Sequence, residues 1–129
     1  MFDSNAAIWT GRILSGLAIA FLLAASVAPK LMQAKTAADT FTRLGWSTDY
    51  LLLIGMIELG CILLYAWPKT SVLGAVLTTG LLGGAIATQL RVGSPVFSHT
   101  LFGLYVGFFI WGGLWLRDPA LRALFPWKY

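Results

Sequence analysis

SVLGAVLTTGLLGGAIATQL, residues 71–90, carries no Asp, Glu, Lys or Arg. Coiled as an α-helix at ~1.5 Å per residue, it reaches ~30 Å, the thickness of a bilayer's hydrocarbon core. Three other blocks read the same way. Working outward, residues 50–67 are interrupted by one charge, Glu58, and residues 99–117 carry one only at their last position, Arg117. Residues 8–29 contain Arg12 near their start and are free of charge from Ile13 onward. The expected fold is all-α: a polytopic, transmembrane, four-helix up-down bundle forming one integral membrane domain over residues 1–129.

Composition closes off the soluble alternative. Of 129 residues, 58% are hydrophobic and 11% charged, with a mean hydropathy of +0.79. A soluble domain carries about 25% charged residues, and a chain this small could not hide so much apolar surface from water. The nine basic residues outnumber the five acidic ones. They sit between apolar blocks as membrane anchors and form no run that would grip nucleic acid. One cysteine, Cys61, permits neither an internal disulfide nor a Cys-x-x-Cys redox pair. One histidine, His99, cannot supply a bis-histidine haem site, so no intrinsic cofactor or metal is expected.

Pro29, Pro68, Pro95 and Pro119 punctuate the block ends, where a missing N–H costs a helix least. Ala24 to Ala28 looks like a signal-peptide cleavage region, but Pro29 is a poor residue after a cut, so the segment is expected to be retained. In the longest connection, Leu31, Ala34, Ala38 and Phe41 share one helical face and Lys35, Asp39 and Arg43 lie elsewhere. A short interfacial helix between spans 1 and 2 follows. Small residues recur every four positions: Gly16, Ala20, Ala24, Ala28; Ala75, Thr79, Gly83, Ala87, with Gly80 and Gly84 beside them; Gly103 and Gly107. Such stripes let helices pack closely in lipid, within one chain or in a homo-oligomer.

Glu58 is the sharpest chemical feature, ~12 Å along its helix from Tyr50 and so near mid-bilayer. A carboxyl group there is expensive and points either to ligand binding and proton handling or to a protonated group hydrogen-bonded between helices. Up-down threading brings Lys30, Gln89, Arg91 and His99 to the face opposite the termini, where a long basic side chain has Glu58 within reach or snorkels to the head groups. Arg12 reads as a snorkelling residue and Cys61 as packing. The basic residues Arg12, Lys69, Arg117, Arg122 and Lys128, with Trp9, Trp67, Trp115 and Trp127 as an aromatic belt, mark the termini face. With Lys30 and Arg91 assigned to a site, the remaining bias toward that face places both termini in the cytoplasm.

At these residues the chain resembles the DoxX-like branch of the DoxX superfamily, small four-helix membrane proteins. The resemblance rests on Pro29-Lys30-Leu31, Phe41 to Trp46, Gly55 to Gly60, Pro68-Lys69-Thr70, Gly83 to Arg91, and the tryptophan-glycine run ending at Pro119. Val27 stands where relatives often carry glycine, and Gln89 where they often carry histidine, which leaves that position without a titrating side chain. The resemblance implies association with membrane redox complexes, the name-giving relatives being linked to thiosulfate:quinone oxidoreductase.

Two functions compete. In the first, Glu58, Lys30 and Arg91, with Gln89 and His99 nearby, bind a small amphipathic molecule, with a quinone as the candidate, in a subunit of a membrane redox complex. A quinone needs an apolar slot, donors for its carbonyl oxygens and a carboxyl group for its protons. No self-contained redox centre or catalytic motif is visible, so electrons come from a partner subunit. In the second, the chain is a non-catalytic assembly or chaperone subunit with no small ligand. A transporter is disfavoured by four short spans without inverted repeats.

Overall fold

The computed structural model describes residues 5–124, and every regular element among them is helical. Helix α1 is Asn5–Leu31. An interfacial helix, α2, follows at Lys35–Leu44. Helix α3, Leu51–Ala66, is entered through a 3₁₀ turn, and α4 is Ser71–Arg91. Helix α5, Phe102–Arg117, is entered through a π turn, and the short α6 is Pro119–Leu124. Counting their entry turns, α1, α3, α4 and α5 are the four helices long and apolar enough to cross a membrane. The expected belt residue Trp127 and anchor Lys128 lie outside the described residues.

Around the bundle, α1 packs most extensively on α5, α5 on α4, and α4 on α3. The ring closes where α3 meets mainly the last turns of α1, residues 23–31. Tyr65, Ala75, Ile110 and Leu114 fill the centre. The outside is equally apolar: Leu53, Met56, Leu63 and Phe108 are all exposed. In water such a surface would drive aggregation. In a bilayer it faces hydrocarbon, while the helices satisfy their own backbone groups.

Two expectations need correction. Pro29 does not mark the end of span 1 but lies inside a continuous helix. Residues Leu23–Val27 form a π turn in which Ala28 N–H reaches back to the Leu23 carbonyl. The wider turn admits a residue with no N–H without ending the helix, which runs two residues further and carries Lys30 with it.

The small-residue stripes divide. Ala75 is fully buried, and a Cβ on Gly103 would press against Ile86 and Leu82. Gly16, Gly80, Gly83 and Gly84 have open space about them. Gly84 follows the inward Leu82 by two residues, about 200° round the helix, so it cannot share its face.

Helix α2 has the amphipathic character expected, with Phe41 and Leu44 buried beneath a polar outer face. Leu31 belongs instead to α1, because Gln33 turns the chain at φ 52° before α2 begins. At the other end Gly45 takes the left-handed conformation. Its N–H bonds the Thr42 carbonyl while Trp46 N–H bonds Phe41, which completes a Schellman cap.

Candidate functional site: an ion pair between the first two spans

The site begins with the π turn. It carries Ser26 and sets Lys30 one turn later against α3. Lys30 Nζ donates to Ser26 Oγ at 2.6 Å, to the Ser26 carbonyl at 3.4 Å and to Glu58 Oε2 at 3.2 Å. Three N–H groups therefore meet three acceptors. Gly55, one turn before Glu58, makes the approach feasible, since a Cβ there would stand 2.8 Å from Lys30 Cβ. The side chains of Lys30 and Glu58 are 16% and 13% exposed. Two opposite charges this close leave the site with almost no net charge.

The pair is not closed on itself. Glu58 Oε1 is buried and has no hydrogen-bond partner. A cavity of ≈ 320 Å³ lies alongside, between the end of α1 and α2, lined by Ser26, Pro29, Lys30, Thr36 and Thr40 among others. Its walls thus combine one ammonium group, hydroxyls and apolar carbon.

Of the five residues singled out in the sequence, Lys30 and Glu58 are brought together and the others are not. Arg91 donates to the Leu44 carbonyl at the end of α2, and its guanidinium lies against Gly45. It completes the cap of the interfacial helix at the end where a cation is favoured. Gln89 Oε1 accepts from Ser94 Oγ at 2.5 Å, and Ser94 accepts from Arg43 at 3.3 Å. His99 is exposed, with Nδ1 2.8 Å from Ser98 Oγ. Sequence reasoning missed Ser26. The available signal was its spacing, a hydroxyl four residues before a lysine in an apolar span, where side chains meet on one helix face.

A second polar cluster, also unforeseen, occupies the termini end. Arg117 Nε donates to Ser15 Oγ at 3.1 Å, and Ser15 Oγ is 2.8 Å from Tyr65 OH. Tyr65, only 2% exposed, donates to the Ile110 carbonyl at 2.6 Å. Ser71 Oγ bonds the Tyr65 carbonyl at 2.8 Å. The Arg117 guanidinium lies 5.3 Å from the Tyr65 ring centre. Arg117 therefore ties spans 1, 2, 3 and 4 together and is more than a topology signal.

Fold and site define a multi-pass membrane protein whose four-helix bundle carries an ion pair between its first two spans. The model of the DoxX-like family matches residues 13–113, and the chain belongs to that family. No curated protein matches the chain. No solved structure does either.

Proposed function

We propose that the chain binds a small, uncharged amphipathic molecule of the quinone class at Lys30 and Glu58, as a subunit of a membrane redox complex. The observation that carries this reading is the free valence of Glu58: Oε1 is buried and unpartnered, and its ion-pair partner Lys30 lines a cavity that also has hydroxyl walls. Neutralisation of Lys30 by Glu58 favours an uncharged head over a phosphate. A quinol hydroxyl donates to a carboxylate oxygen, and a quinone carbonyl accepts from a cavity hydroxyl. Glu58 then stands where a proton released or taken up by the ring is handled. Electrons come from a partner subunit.

Purification in mild detergent followed by mass spectrometry of co-purifying lipids and proteins tests this. A stoichiometric quinone supports the reading. A stable protein partner with no small ligand supports an assembly subunit instead, for which the open outer face of α4 at Gly80, Gly83 and Gly84 offers a docking stripe. We also place both termini in the cytoplasm, on the bias of Lys and Arg. Reporter fusions at Tyr129 and near Ser94 should report opposite compartments, with the cytoplasmic signal at Tyr129.

A further inference from the structure

Below the polar cavity, α1 and α5 leave a second depression of ≈ 350 Å³, lined by Leu17, Phe21, Phe102, Val106 and Phe109 among others. It offers almost nothing but hydrocarbon. Phe21 and Phe102 form its upper wall, their ring centres 5.5 Å apart. The two hollows belong to successive turns of one helix. Leu17 and Phe21 line the apolar one, Ala25 and Pro29 the polar one, and Leu17, Phe21 and Ala25 form an uncovered row between them. From Lys30 to Leu17 is thirteen residues, about 20 Å along the axis.

Resting on the head site proposed above, we infer that this groove holds the tail of the same molecule, so that the ligand is a long-tailed prenyl or alkyl quinone lying along α1. The exposed row Leu17, Phe21, Ala25 selects this occupant, since its two ends line the two hollows. A tail that leaves a head at Lys30 by way of Ala25 reaches next, along that row, the hollow lined by Phe21 and Phe109. In a bilayer the tail gains packing contacts and not hydrophobic transfer, because lipid is already apolar. The gain is accordingly moderate.

The test uses the full-length protein in a non-ionic detergent and one dimethoxybenzoquinone ring carrying either a methyl group or a decyl chain. Dissociation constants are read by thermal-shift titration. We expect the decyl compound to bind about fivefold more tightly to the wild type. Leu17→Trp, at a position 56% exposed and therefore tolerant, should fill the groove and abolish that advantage while leaving the methyl compound unaffected. Leu53→Trp, on an exposed face of α3, should leave both constants alone. Equal affinity of the two compounds for the wild type would overturn the tail groove and leave the head site standing. Persistence of the decyl advantage in Leu17→Trp would do the same. Absence of binding by either compound would overturn the head site, and the groove with it.

Discussion

At the termini end of the bundle, Arg117, Ser15, Tyr65 and Ser71 satisfy one another and the neighbouring carbonyls. At the opposite end Lys30, itself held by Ser26, bonds Glu58 through one oxygen and leaves the other with no partner. Backbone packing differs in the same direction. A Cβ on Gly113 would lie 2.8 Å from Ser15 N and 3.0 Å from the Gly11 carbonyl, so α1 and α5 touch backbone to backbone. Beside Lys30 there is instead a cavity. Both clusters place charge in an apolar bundle. One uses it to lock helices, and the other keeps a hydrogen-bonding atom and a space in reserve, the difference expected between a structural network and the binding site proposed above.

Changes at the locked end should cost most. Gly113→Leu forces apart two backbones in contact, and we expect a loss of ~3 kcal/mol, read as collapse of the melting temperature in detergent or failure to recover folded protein. Tyr65→Phe deletes the hydroxyl that bonds Ile110 and Ser15, and should cost ~1–3 kcal/mol because a buried carbonyl loses its donor. An unchanged melting temperature for Tyr65→Phe would mean that the network does not lock the bundle.

At the open end the expected costs are smaller. Glu58→Gln keeps an oxygen for Lys30 and should cost ~1 kcal/mol in the ligand-free protein, below the ~3–5 kcal/mol typical of a broken, fully buried pair, because both side chains retain some exposure. A loss of that larger size, relieved by combining Glu58→Gln with Lys30→Met, would make the pair a structural lock like its counterpart. Gly84→Leu, on the open outer face of α4, should fall within ~0.5 kcal/mol of wild type. A clear loss of stability there would reveal a neighbour on that face, such as a second copy of the chain.

The sequence carried the spans more openly than the site. Charge-free runs such as residues 71–90 are long enough to decide their own fate, and Glu58 stands out because a carboxyl group in such a run is costly. Lys30 was legible through up-down threading, which places the end of span 1 beside the start of span 2. Arg91 and Gln89 share that face yet were drawn off by local demands: Leu44 presents a helix-end carbonyl to Arg91, and Ser94 reaches Gln89. Such pairings depend on loop geometry that helical periodicity does not encode. The same holds for the π turn at Leu23–Val27, which Pro29 provokes but whose position nothing in the pattern of apolar residues fixes. Gly84 turns outward although it belongs to a small-residue stripe, because a four-residue spacing drifts around a helix of 3.6 residues per turn and such a stripe need not stay on one face.

The most direct test of Glu58 as a binding group is the melting temperature of wild type, Glu58→Gln and Tyr65→Phe, each with and without a saturating short-tailed benzoquinone. A ligand that binds only the folded chain adds about 2.7 kcal/mol at a hundred times its Kd. We expect wild type to rise, Glu58→Gln to start near wild type and fail to rise, and Tyr65→Phe to start lower and rise in full. No rise in the wild type, with Glu58→Gln tracking it throughout, would contradict a ligand site at Glu58.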